Sequence, residues 1–139
     1  MNAVESLIPH RDPFLFVDRI ISADAEKTVG ERTFPETAWF FKGHFPGHPV
    51  VPGVLLVETL AQCGGAGLVH CGVMKNRIFL LVTVTSAKFR RVVRPGELLR
   101  LEIENRKVGN RLVKQFGKAW VGDELAAEAE WICVPGKET

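Results

Sequence analysis

Between Gly53 and Gly72 the chain reads GVLLVETLAQCGGAGLVHCG, twenty residues in which Glu58 is the one charged side chain. The run follows Pro49 and Pro52 in PVVPG, and proline is best tolerated in a helix's first turn, so a helix is expected from Gly53 to about Gly72. A helix apolar nearly all round is a buried one. Gly64, Gly65, Ala66 and Gly67 lie inside it. Each glycine there costs about 1 kcal/mol against alanine, which predicts close approach of another backbone as compensation.

The remaining chain has to supply the cover. FLFVDRII (14–21) and KTVGERTF (27–34) fit two strands of a partly buried sheet, joined as a hairpin. After Lys75 the period becomes two. IFLLVTVTSAKFRRVV (78–93), ELLRLEIENRKV (97–108), RLVKQFGKAWV (111–121) and ELAAEAEWICV (124–134) read as strands separated by RPGE, GN and GD turns. Leu99, Leu101 and Ile103 then face one side and Arg100, Glu102 and Glu104 the other. The expected class is α+β: a long antiparallel sheet wrapped around one central apolar helix, forming one domain over residues 1–139. One sheet face of a 139-residue chain does not cover a helix apolar on every side. A partner subunit, hence a dimer, is expected to cover the rest.

Composition excludes several classes. Eighteen basic and sixteen acidic residues give a net charge of +2, so no overall field draws the chain to nucleic acid or an anionic membrane. No apolar run reaches the ~18 residues of a membrane span, and the first twenty residues lack a secretory pattern, which predicts a cytoplasmic protein. Cys63, Cys71 and Cys133 have no C-x-x-C spacing and read as buried thiols rather than disulfides or metal ligands.

Gln62 follows Glu58 at i+4, on the same helical face. An ionised carboxylate buried without partners raises its pKa, which is what a general acid needs. The alternative is a structural glutamate bonded to Gln62 or to a distant lysine. His44 and His48 lie in GHFPGHP, where Pro46 and Pro49 forbid the regular helix that i, i+4 metal ligands require, so neither a metal nor a cofactor is expected. A histidine held in a stiff loop just before a helix N-terminus is placed instead for acid–base work beside free N–H groups.

GHFPGHPVVPGVLLVETLAQ resembles the signature of the β-hydroxyacyl-acyl carrier protein dehydratases of fatty acid biosynthesis, the FabZ type, which have the hot-dog fold. IPHRDPFLFVDRI and KFRRVVRPGELLRLEI resemble that family's other two blocks, so the likeness runs from Leu7 to about Ile103. It implies His44 and Glu58 as the catalytic pair. The longer FabA-type dehydratase-isomerases usually carry aspartate where this chain has Glu58, which favours the dehydratase-only branch. Asp12 stands where the family commonly has an aromatic residue, and the chain has no tyrosine to gate an acyl tunnel.

The reaction implied converts a (3R)-hydroxyacyl thioester on acyl carrier protein to the trans-2-enoyl thioester. His44 is then the base at C2, Glu58 the group that protonates or orients the leaving C3 hydroxyl, directly or through a water, and the Gly53 N–H the donor to the thioester carbonyl. Gln62 and the backbone of Val54 would position Glu58; Leu55, Phe79 and Leu81 are candidates for an acyl tunnel. Lys88, Arg90, Arg91 and Arg94 form the clear basic cluster, with Lys42 and Arg111 as weaker members. Acyl carrier proteins are acidic, so this cluster is a candidate docking patch. The family implies a homodimer with the histidine of one subunit facing the carboxylate of its neighbour, and further assembly as a trimer of dimers. Two other readings stay open at this point: a hot-dog acyl thioesterase and a non-catalytic acyl-binding module.

Overall fold

The computed structural model describes residues 3–139. After a 3-10 turn at Ala3–Ser6 come β1 (Arg19–Ala23), β2 (Lys27–Thr33), the helix α1 (Gly53–His70), and strands β3 (Arg77–Phe89), β4 (Leu98–Val108), β5 (Val113–Val121) and β6 (Glu124–Glu138). The strands form one antiparallel sheet in the order β1-β2-β4-β5-β6-β3. Residues that alternate along β4 and β5 explain the layering: Leu99, Leu101, Ile103, Val113 and Ala119 are all buried, on the face that receives α1. The turn between β5 and β6 is tight because Gly122 adopts a φ of 59°, a left-handed conformation that favours glycine.

The helix begins at Gly53 as expected and runs unbroken to His70 through its glycines. What approaches there is not another backbone but side chains of the sheet, with the Phe79 ring against Gly65. A Cβ at Gly64 would collide with Gln115, and one at Gly67 with Thr28. Gln115 in turn donates to the Gly64 carbonyl (3.2 Å) and to Asn105 (2.8 Å), tying helix to sheet inside the core. Gly64 thus makes room for a buried polar tie, which a bulkier residue there would exclude.

Two expectations need correction. The segment 14–21 is not one strand: β1 starts only at Arg19. Phe14 to Phe16 instead bond to the Gln62 side chain, whose Oε1 accepts from the Phe16 N–H (2.7 Å) and whose Nε2 donates to the Phe14 carbonyl (3.0 Å). A helix side chain stands in for a neighbouring strand, so no ladder forms. Second, the helix is largely covered by its own sheet, with Leu56, Val57, Leu60, Cys63, Ala66 and Leu68 buried. Uncovered apolar surface is found on β3, an edge strand, where Leu80 and Val82 are 56% and 55% exposed, and at the helix start, where Val54 is 74% exposed.

Candidate active site

The loop from Phe34 to Pro52 carries His44, and aromatic packing fixes it. Phe34, Phe40 and Phe41 are buried, with ring centroids 5.7 Å apart for Phe34–Phe40 and 4.6 Å for Phe40–Phe41. From that anchor the chain turns at Phe45–His48 through paired backbone hydrogen bonds and returns so that the Val50 N–H bonds to the His44 carbonyl. The His44 ring stacks on Phe45 at 4.0 Å, and its Nδ1 lies 3.0 Å from the Val50 carbonyl oxygen. A carbonyl can only accept, so Nδ1 carries the hydrogen and Nε2 is left as the basic nitrogen.

That imidazole shares a cavity of about 390 Å³ with Val50, Val51, Gly53, Leu56 and Phe89, flanked by Arg90 and Arg91. The cavity reaches the N-terminus of α1. There the Leu55 and Leu56 N–H groups both bond to the Pro52 carbonyl, whereas the Gly53 and Val54 N–H groups have no backbone acceptor among the described residues. The Phe89 ring lies so near Gly53 that a Cβ there would stand 3.0 Å from it, so glycine at the helix start keeps its N–H approachable beneath an aromatic cover.

Glu58 lies in a different place. It lines a narrow cavity of about 20 Å³ with Ile8, His10, Gln62, Phe79, Leu81 and Cys133, room on the scale of one water molecule. Burial pushes its carboxyl above the usual 4.5, offset in part by the hydrogen bond from Gln62. That bond runs from Gln62 Nε2 to Glu58 Oε2 at 2.9 Å. Because Gln62 Oε1 is already committed to the Phe16 N–H, its amide cannot be turned round. Oε2 of Glu58 is therefore the acceptor of this bond. Burial and the nearby Glu58 charge push the Cys133 thiol up to about 12, which makes it a hydrophobe rather than a nucleophile. Burial does the same to Cys63.

The structure therefore brings His44 together with Gly53, and Glu58 together with Gln62, Phe79 and Leu81, but sets the two groups in separate cavities of one chain. Leu55 packs against the core and lines neither cavity. The Val54 backbone makes no hydrogen bond to the Glu58 carboxyl among the described residues, so Gln62 alone of the expected pair holds it. His10 was not singled out from the sequence, although IPHRDP offers the same signal as GHFPGHP, a histidine in a proline-stiffened loop. Its Nε2 stands 3.7 Å from Glu58 Oε2.

The basic cluster is less uniform than its sequence suggests. β3 ends at Phe89, so Arg90 and Arg91 fall outside the strand, with both N–H groups on the Ala126 carbonyl. Arg90 pairs with Glu128 at 3.2 Å, and Arg91 with Glu97 at 2.9 Å and Glu124 at 3.6 Å. Lys88 and Arg94 are exposed and have no ion pair within 4 Å among the described residues, as is true of Lys42 and Arg111.

Comparison with known proteins agrees with this architecture. The family model described as a FabA-like domain matches residues 8–130. A 3-hydroxyacyl-[acyl-carrier-protein] dehydratase FabZ of Moorella thermoacetica is 44% identical over 138 residues, covering 99% of this chain and 96% of the relative. The FabZ of Xanthomonas oryzae is 38% identical over 143 residues, covering 99% and 93%. Among solved structures, the dehydratase heterocomplex ApeI:P of Xenorhabdus doucetiae superposes with a TM-score of 0.83 at 12% identity, over 96% of this chain and 91% of that one. The thioesterase superfamily member 2 of Mus musculus gives 0.62 at 15%, over 84% and 80%. At such identities the structural matches speak for the hot-dog fold alone. The sequence matches go further: the chain belongs to the FabA-like family and, within it, to the FabZ-type dehydratases.

Proposed function

We propose that this chain dehydrates (3R)-hydroxyacyl-acyl carrier protein to the trans-2-enoyl thioester in fatty acid biosynthesis, with His44 and Glu58 as the acid–base pair. The observation that carries the site assignment is the His44 Nδ1 to Val50 carbonyl contact, which leaves Nε2 as a base in the same cavity as the Gly53 N–H, which has no acceptor among the described residues.

The chemistry follows from the donors and acceptors. Nε2 of His44 takes the proton from C2. Electron density moves into the thioester carbonyl, whose oxygen is held by the Gly53 N–H at the positive end of α1. The C3–O bond breaks as Glu58 delivers its proton, directly or through one water, and the hydroxyl departs as water. Burial raises the fraction of Glu58 that holds this proton. Phe79 and Leu81 are the walls along which an acyl chain would lie.

Separation of the two cavities supports a site completed by a second copy of the chain, with His44 of one subunit facing Glu58 of the other. The thirteen-residue edge strand β3 supports the same reading, because it leaves backbone groups unpaired and apolar side chains exposed. Lys88 and Arg94, near the mouth that Arg90 and Arg91 flank, are the cations free to meet an acidic carrier. Further assembly as a trimer of dimers, action of residues 1–139 as one domain and a cytoplasmic location complete the proposal. No helix among the described residues is long and apolar enough to cross a membrane.

Product analysis tests it. A 3-hydroxybutyryl thioester incubated with the protein should give the enoyl thioester. Release of free acid would mean a thioesterase, and recovery of unchanged substrate a binding module.

A further inference from the structure

His10 has no part in the scheme above, yet its surroundings are unusually well built. The Arg11 guanidinium donates to the carbonyls of Glu5 (2.9 Å), Ile8 (2.9 Å) and His10 itself (2.7 Å), and lies 3.9 Å from the Glu5 carboxylate. One side chain therefore fastens the backbone on both sides of the imidazole, and Ile8 is fully buried beneath it. His10 Nδ1 is buried with no hydrogen-bond partner among the described residues, while Nε2 faces Oε2 of Glu58 at 3.7 Å. An imidazole held at the cost of an unpaired ring nitrogen needs a reason, and Glu58 is what its other nitrogen meets.

Both polar contacts of the Glu58 carboxyl converge on Oε2, one from Gln62 Nε2 and one from His10 Nε2, leaving Oε1 with none among the described residues. We infer that His10 is a positioning residue of the acid: its Nε2–H fills the second lone pair of Glu58 Oε2 when the site tightens around substrate, so that the proton to be delivered stands on Oε1. The inference rests on Glu58 being the acid of the proposed reaction. The 3.7 Å separation is longer than a hydrogen bond, as such contacts commonly are before substrate closes a site.

The other titratable groups around this pair are few. Arg11 stands beside His10 in the N-terminal loop, Cys133 faces Glu58 from β6, and α1 and β3 contribute Gln62, Phe79 and Leu81, which do not titrate. Burial and the Arg11 charge hold the imidazole below its usual 6.5. It is therefore neutral near pH 7 and has one N–H to place.

The experiment has one arm that reads the contact and one that reads its use. In ¹⁵N NMR of the wild-type protein, His10 should be the Nε2–H tautomer, and its Nε2 shift should move in Glu58→Gln. A Nδ1–H tautomer, or no response to Glu58→Gln, overturns the inference whether or not the protein is a dehydratase. In turnover, His10→Phe should lower kcat roughly tenfold, the scale of one charge-assisted hydrogen bond, with KM within about twofold. One limb of the kcat/KM profile should move to higher pH as the carboxylate loses a donor. His10→Gln, whose Nε2 can take the same place, should recover most of the loss. A profile left in place by His10→Phe, or no recovery by His10→Gln, would reduce His10 to packing and overturn the inference. Should no variant turn over any thioester, the dehydratase reading fails and the ¹⁵N arm still decides this one.

Discussion

Gln62 donates to Oε2 of Glu58 across 2.9 Å while its own carbonyl oxygen receives the Phe16 N–H at 2.7 Å, so one amide fixes both the acid and the chain segment that covers it. Removing that amide should be felt twice. Gln62→Leu leaves the Phe16 N–H and the Phe14 carbonyl without partners, and buried unpaired groups cost about 1–3 kcal/mol each. Urea unfolding should show a loss of about 3 kcal/mol with an unchanged slope. A loss below about 1 kcal/mol would mean that the segment is held by its aromatic packing instead.

The raised pKa of Glu58 makes a stability prediction with a definite sign. Burial disfavours the charged form in the folded protein, so the folded pKa exceeds the ordinary 4.5. The folded state therefore carries a penalty above the folded pKa, and wild-type stability recovers as pH falls through that value towards 4.5. Glu58→Gln has no such penalty. It should be more stable than wild type at pH 8, and the advantage should shrink steadily as pH falls towards 5. An advantage that is the same at both pH values would show that Glu58 titrates normally.

The pairing of Arg90 and Arg91 with Glu128, Glu97 and Glu124 changes which substitutions test carrier docking. Reversing the charge of Arg91 would break contacts that hold the β3–β4 connection. Lys88→Glu with Arg94→Glu touches no ion pair and should raise KM for a carrier-linked substrate several-fold at low salt, an effect that fades as salt rises. A small thioester without the carrier should be turned over normally. Equal loss on both substrates would remove these residues from docking.

How much of this was readable from residues alone depends on whether the partners are local. The start of α1 at Gly53 and the Glu58–Gln62 bond were legible because Pro52 and an i+4 spacing are features of neighbouring sequence. Strands β2, β4, β5 and β6 were legible from alternation and from turns such as that at Gly122. The Phe14–Phe16 stretch was not, because its bonds go to a helix side chain 46 and 48 residues away. Arg90 and Arg91 looked free because their carboxylates arrive from β6 and from the connecting turn. His10 was invisible as a neighbour of Glu58 for the same reason: only the fold brings them together. The sequence likewise suggested an uncovered helix, whereas its glycines let the sheet close on it and shift the open surface to β3.

A site built from two chains, proposed because His44 and Glu58 line separate cavities of one, is open to direct test. His44→Ala should reduce turnover at least ~100-fold, the scale of a positioned base, and Glu58→Gln should do likewise, both in folded protein. A mixed dimer of these variants has one doubly defective site and one intact site. Unfolding and refolding an equal mixture makes about half the dimers mixed, so activity should return to roughly a quarter of wild type if sites act independently. Native mass spectrometry of the refolded mixture identifies the mixed dimers, and turnover is read on the same sample. Recovery near that fraction is what shared sites predict; a mixture that contains mixed dimers yet stays inactive would place His44 and Glu58 of the same chain in one site and contradict the account.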